Sequence, residues 1–510
     1  MLETISSMQI LFAATPVILL IVLLGILKMP GEKSAIITLI ATALISLFVF
    51  KLSPSDTLFS VIFGIVKAIF PILVIILMAI YSYNVQVETQ KIEIIKQQFS
   101  SISSDKSIQV LLLTWGFGGL LEGMAGFGTA VAIPAAILIS LGFKPMFSAV
   151  VSLVANSVPT AFGAVGIPVI VLAREVDMVD QITTISANVV GQLAVLMLLI
   201  PFVIVTMTNS NVKAIPRNIL LSILVGGVTL AVQYYSALYI GAETPAILGS
   251  IASIIVIIAF GKIAGKKEVK TETASFSLKE SFQAWSVYGL ILLLVLLTSP
   301  LFPITTWLKA NLAVFQTVFS FDIAGALRQV SIFWLTDTGV LIFVSSIAGG
   351  LIQGSTFKKL FKLLGKTTVQ LKKTVITVCC LIALSTLMDF SGMITVLGLA
   401  LAAATGAFYP FFAPAIGALG TFLTGSDTSS NILFGKLQAT VADKIGADKG
   451  WLAAANTTGA TGGKIISPQS IAVATTACNE QGKEGIILKK AVVFALLYII
   501  IAGIVVYIGS

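Results

Sequence analysis

Ten blocks of apolar residues dominate this chain, and each is long enough to form the core of a membrane-crossing helix. They are Val17–Leu27, Ala35–Phe50, Leu58–Tyr81, Val189–Thr206, Ile219–Val232, Ala246–Phe260, Val287–Leu297, Val340–Leu351, Val375–Leu387 and Ala491–Tyr507. A helix of roughly 20 apolar residues spans the hydrocarbon core of a bilayer. Composition agrees: only 10% of the residues are charged, against about 25% in soluble domains. The expected fold class is an all-α polytopic membrane protein of about 12–14 transmembrane segments, with broken helices and re-entrant hairpins. The N-terminal stretch MLETISSMQILFAATPVILLIVLLG lacks a basic leader and a small-residue cleavage pattern, so it reads as a retained first helix.

Charge placement sets the organisation. The net charge of +9 comes from lysines in short loops beside the spans, where the positive-inside rule puts them, and it implies no nucleic acid. The dense runs Lys262–Lys279 and Lys358–Lys373 are expected in the cytoplasm. Residues 84–107 read as an amphipathic surface helix. Residues 299–328, with two prolines, read as interfacial, tilted or re-entrant. The chain divides into an N-terminal transmembrane half (1–261), a cytoplasmic hydrophilic loop (262–283) and a C-terminal half (284–510).

The two halves suggest a duplication. LLEGMAGFG carries Glu122, and SANVVG brings Asn188 66 residues later; LMDFSGM carries Asp389, and AANTTG brings Asn456 67 residues later. A proline (Pro145; Pro410 or Pro414) and a polar break lie between the landmarks in each case. On this spacing the repeat cores are about 108–208 and 374–478, with Gly-rich segments 108–142 and 374–406 as hairpins or paired short crossings. Counting Lys and Arg places both repeats the same way round, with both termini outside. Inverted repeats require one crossing more or fewer, and 299–328 is where that count can change. Broken helices and internal repeats are the way secondary transporters build a midplane site.

The chemistry falls on residues that are costly in hydrocarbon. An ionised side chain at the bilayer centre costs about 2.5–3.5 kcal/mol on insertion scales. Glu122 is surrounded by glycines, and it, Asp389 and Asp427 are the proton-coupling candidates. Asp337 reads as a helix cap. Lys67 reads as snorkelling or paired with an intramembrane acid. Three polar breaks supply substrate-binding candidates: Asn156, Ser157 and Thr160; Ser426, Thr428, Ser429, Ser430 and Asn431; and Asn456, Thr457, Lys464, Ser467 and Gln469. Short polar side chains compete with helical hydrogen bonding, and unwound backbone survives at membrane depth only where protein or a cavity surrounds it. Hydroxyls and amides suit a small hydroxylated anion, and Lys464 suits its carboxylate or an ion pair with Asp427 or Asp389. The sequence has no histidine, so proton handling falls mainly to carboxylates. Its three cysteines form no disulfide framework. No Walker motif, metal-ligand cluster or nucleophile–base pair is present. A gradient-driven carrier follows, not an enzyme, with no cofactor and no metal.

LLEGMAGFGTAVAIPAAILISLGFKP, NSVPTAFGAVGIPV, TGSDTSSNILFG and ANTTGATGGKIISPQSIA together closely resemble the lactate permease family of bacterial secondary transporters, over most of the chain. The resemblance implies uptake of L-lactate, and of D-lactate and glycolate, with protons across the bacterial cytoplasmic (cell) membrane. The partners it implies are a small 2-hydroxy monocarboxylate, the proton and the lipid bilayer; a homodimer is compatible with the analogy. A sodium-coupled carboxylate transporter and an anion channel are the alternatives.

Overall fold

The structure is a computed structural model that describes residues 6–100, 103, 105–126, 128–264 and 276–510. The first half runs through α1 (Ser7–Leu20), α2 (Gly31–Phe48), α3 (Pro54–Lys67), α4 (Val74–Glu88), α5 (Lys91–Ser100), α6 (Lys106–Leu111), α7 (Gly118–Met124), α8 (Thr129–Ser140), α9 (Pro145–Ala155), α10 (Ser157–Thr160), α11 (Gly163–Glu175), α12 (Ile182–Thr208), α13 (Ile215–Tyr239) and α14 (Pro245–Ala264). The second half begins with α15 (Leu278–Thr298) and α16 (Ile304–Asn311). An antiparallel hairpin of β1 (Gln316–Ile323) and β2 (Ala326–Phe333) follows, then α17 (Thr338–Ile352), α18 (Phe357–Gln370), α19 (Lys372–Phe390), α20 (Met393–Thr405), α21 (Tyr409–Thr424), α22 (Asp427–Ile445), α23 (Lys449–Lys464), α24 (Pro468–Ala477) and α25 (Glu484–Ile508). Among the described residues ten helices are long and apolar enough to cross a membrane. Three shorter apolar ones are α8, α9 and α17. The fold is all-α and polytopic, as the apolar blocks dictate.

Local sequence explains where the helices start. Asp105 caps α6 by accepting from the Ser107 and Ile108 amides. Ser426, Asp448 and Ser467 do the same for α22, α23 and α24, each satisfying a donor that has no intrahelical partner. Asp337 caps α17 through the Gly339 amide, as its sequence context suggested.

Two hairpins and two broken helices position the interior. α6 and α7, joined through a π-helical turn at Leu112–Phe117, fold back onto α8, so that Gly118 lies against Ala130 and Pro134. The turn uses Gly126 and Gly128, both at positive φ. α21 and α22 form the other hairpin. Tyr409, at the start of α21, donates to Gln438 far along α22, and the tip is Gly425 at φ 73°. One broken helix comprises α9, α10 and α11, interrupted where Ala164, Val165 and Gly166 adopt left-handed backbone. The other comprises α23 and α24, interrupted at residues 465–467. Each hairpin is followed by a broken helix and then a long apolar helix, α12 in the first case and α25 in the second.

This order differs from the register suggested by spacing. Segment 374–406 covers α19 and α20, and α19 alone is long enough to cross a membrane. The hairpin that resembles the one around Glu122 is therefore α21–α22, which carries Asp427, and the segment around Asp389 is the end of a long helix. Asn156 lies at the junction of α9 and α10, and Asn456 lies within α23, ahead of its break. The two hairpins meet at their tips (Glu122, Gly126 and Gly128 share one cavity with Thr424–Ser429). Segment 299–328 also contains a surprise. It enters the β-hairpin, whose Phe321 packs edge-on against Phe63 of α3 at 5.5 Å. Residues 84–107 do include a short helix, α5.

Close backbone approach holds α21 to α23. A Cβ on Gly459 would overlap the Pro414 carbonyl, and one on Gly417 the Asn456 carbonyl. Gly459→Ala is therefore expected to destabilise the protein by about 1–3 kcal/mol through overpacking. Gly365→Ala, where a Cβ meets nothing within 4 Å, serves as control. Thermal unfolding of the two purified variants in detergent checks this.

Candidate functional site

Four interrupted backbones converge on one cavity of about 320 Å3. Its wall includes Gly126 and Gly128 before α8, Gly163 and Ala164 at the start of α11, Ser426 to Ser429 at the start of α22, and Gln469 and Ser470 at the start of α24. Helix starts present unpaired N–H groups and the positive end of the helix dipole, so this wall favours an anion. The cavity extends along Thr377 and Thr374 to Glu32 and Lys373. Those two are 3.8 Å apart, and Lys373 is 82% exposed, so this end reaches the protein surface.

Three ionisable groups face the interior of the cavity: Glu122, Asp427 and Lys464. Glu122 and Asp427 are 2% exposed. Asp427 Oδ1 accepts from Thr421 Oγ1 at 3.1 Å, whereas Asp427 Oδ2 and Glu122 Oε2 are buried without a hydrogen-bond partner. Lys464 acts electrostatically on both carboxylates but forms no ion pair among the described residues. Glycine makes room for the first acid: a Cβ on Gly163 would stand 2.6 Å from Glu122 Oε1.

The remaining candidates divide in two. Thr160, Thr428, Ser426, Ser429 and Gln469 line the cavity. Ser430, Asn431, Asn456 and Thr457 lie behind it in a buried network. Asn431 Nδ2 donates to the Pro168 carbonyl at 2.9 Å and to Thr457 Oγ1 at 2.8 Å. Asn456 Nδ2 donates to Asn431 Oδ1 at 2.9 Å. Ser430 donates to the Gly417 carbonyl, and Ser467 caps α24. Ser157 donates to the Val154 carbonyl. Asn156 Nδ2 donates to Thr160 Oγ1 at 3.1 Å, while its Oδ1 is buried without a partner.

Asp389 is not brought to this cavity. It lies at the far end of α19, 3.6 Å from Lys436, among the lining of a different cavity. Lys67 does pair with an intramembrane acid, Glu175, at 3.1 Å. Sequence reasoning missed Glu175, Arg174 and Lys436, because each looked like a charge at the end of an apolar stretch. The one signal pointing to them was Lys67, which needed a partner.

The fold and the cavity define a multi-pass membrane protein of the transporter class, built on discontinuous helices. The MtrF structure from Neisseria gonorrhoeae, described as illuminating a class of antimetabolite efflux pumps, shares this fold: TM-score 0.51, 12% identity, 94% of each chain covered. The chain belongs to the L-lactate permease family, whose pattern it matches over residues 9–510. It is 39% identical to an L-lactate permease of Streptococcus iniae over 88% of this chain and 93% of that one. It is 34% identical to the glycolate permease GlcA of Escherichia coli K12 (98% and 95% covered) and 32% identical to an L-lactate permease of Bacillus subtilis 168 (98% and 95%). It is a multi-pass protein of the bacterial cell membrane.

Asn431→Ala removes the buried acceptor of Asn456 Nδ2 and Thr457 Oγ1. Each stranded group costs about 1–3 kcal/mol, so a clear drop in the melting temperature of the purified protein is expected. An unchanged melting temperature would show that the network contributes nothing.

Proposed function

We propose that the protein takes up L-lactate, with D-lactate and glycolate as further substrates, by proton symport. Membership of the L-lactate permease family supports the substrate class. The observation that carries the coupling is the set of ionisable groups at the cavity's inner end: two buried carboxylates, each with an unpartnered oxygen, and Lys464, held out of ion-pair contact among the described residues.

Charge balance gives the mechanism. With Glu122 and Asp427 both ionised, the set is net negative and repels a carboxylate. Protonation of one acid leaves the other balanced by Lys464. An anion that arrives with one proton leaves the charge of the buried set unchanged. An anion that arrives alone adds a buried charge, which costs several kcal/mol. The substrate carboxylate is bound by Lys464 and by amides at the helix starts. Its hydroxyl meets Thr160, Thr428 or Ser429. Glu122, at the tip of one hairpin, holds the transported proton. Lys373 closes the Lys358–Lys373 run expected in the cytoplasm, so the cavity in this arrangement opens inward.

Purified protein in proteoliposomes provides the test. An inward-directed proton gradient should drive lactate accumulation, and replacing sodium by choline should leave it intact. Glu122→Gln should abolish accumulation yet retain lactate–lactate exchange, which needs no net proton movement. Gradient-driven accumulation at the parent level in that variant would exclude Glu122 as the coupling acid. Lys464→Gln should raise the half-saturating lactate concentration roughly tenfold or more, since a charge-assisted contact contributes about 1.5–3 kcal/mol. Sodium-dependent uptake would instead favour the sodium-coupled carrier.

A further inference from the structure

A second cavity, of about 340 Å3, lies under the β-hairpin. The two cavities are built from different stretches of the same three helices: opposite ends of α11 and α19, and the start and middle of α22. α11 contributes Gly163 and Ala164 to the first and Arg174 and Glu175 to the second. α19 contributes Thr374 and Thr377 to the first and Ser385 and Asp389 to the second. α22 contributes Asp427 to the first and Lys436 to the second. Between them runs a closed layer: Leu172, Ile382, Leu384 and Ile432 are all fully buried. The second cavity thus lies where an alternating-access pathway needs its other mouth.

Its charges suit an anion. Four cationic side chains (Lys67, Arg174, Arg328 and Lys436) face three acids (Glu175, Asp177 and Asp389). The acids are already engaged. Glu175 pairs with Lys67, and Asp177 and Asp389 share Lys436 at 2.6 and 3.6 Å. Both guanidiniums are left over. Arg174 Nε is buried with no hydrogen-bond partner. Glu175, Asp337 and Glu243 act on it at longer range, but Asp337 is committed to capping α17 and Glu243 accepts from Thr338. Arg328, on β2, rests over the Phe390 ring at 5.5 Å and forms no ion pair among the described residues. A guanidinium presents a planar fork that matches a carboxylate. One fork thus comes from the membrane-embedded wall and one from the hairpin above.

We propose that this cavity is an outer binding station for the transported monocarboxylate, in which Arg174 and Arg328 hold the carboxylate before the site moves inward. The proposal rests on the uptake reading above for the identity of the anion, but not for the existence of the station. The hairpin is then part of the substrate pathway. It is anchored at its turn, where the Ala324 amide donates to Asp56 Oδ1 at 3.0 Å, and its β2 strand roofs the cavity.

Occupancy is read directly by labelling. Leu327 lines the cavity and is 68% exposed. In the Leu327→Cys variant, a membrane-impermeant thiol reagent added outside should modify the introduced thiol; the parent chain supplies the background from Cys379, Cys380 and Cys478. Lactate should slow that modification. Arg174→Gln and, separately, Arg328→Gln should raise the protecting lactate concentration roughly tenfold or more, as loss of a charge-assisted contact predicts. Arg328→Gln alters only a partly exposed strand residue, so it remains informative if Arg174→Gln does not fold. No protection at lactate concentrations that saturate transport would overturn the station. So would protection unaffected by either substitution. If the parent chain carries neither lactate nor glycolate, the uptake reading fails by itself. The station then stands or falls on whether acetate or pyruvate protects in the same arginine-dependent way.

Discussion

Backbone that leaves helical geometry inside a membrane has no water to satisfy it, and the interior of this protein is organised around that constraint. Among the described residues the fold brings four interruptions to one place, at the two hairpin tips and in the two broken helices, where they border a cavity; a further break at Phe70, between α3 and α4, does not line that cavity. Hydrogen bonds beside the four tie the helices together: the Asn431 amide donates to the Pro168 carbonyl in α11, and Ser430 donates to the Gly417 carbonyl in α21. Glycines at 417, 459 and 463 let α21 and α23 touch backbone to backbone.

The same geometry concentrates charge. Helix starts supply partial positive charge and Lys464 a full one, and the two carboxylates at the hairpin tips oppose them. In the proposed symport mechanism, such a set takes up an anion together with a proton. The second cavity extends the logic along α11, α19 and α22. Each of these helices lines both cavities, with the fully buried Leu172, Ile382, Leu384 and Ile432 between them.

Much of the site was legible in the sequence because polar residues are expensive in hydrocarbon. The runs SDTSSN and ANTTGATGGK stood out for that reason, and Glu122, Asp427 and Lys464 meet in one cavity as their chemistry suggested. Spacing misled in one respect. Asp389 sits in an apolar stretch that looks like the counterpart of the one around Glu122, but the resemblance that matters is between hairpin tips, and a tip is defined by which helices pack antiparallel. The β-hairpin was missed because 316–333 is semi-polar and short-patterned. It lies where the chain leaves the helical layers, so hydropathy carries little information there. Arg174, Glu175 and Lys436 were missed because a charge near the end of an apolar run looks the same whether it faces water or a cavity.

What the sequence determined by itself is the solvent and the material: the apolar blocks require membrane helices, the polar interruptions require places where those helices open, and the motifs place the chain in its family. These are local properties, written within windows of about 20 residues by the bilayer's thickness. The tertiary structure alone decided which interruptions meet, which acids share a cavity with Lys464, and which end of each helix carries the second set of charges. Those outcomes depend on contacts between residues as distant as Pro168 and Asn431, and no window along the chain contains both.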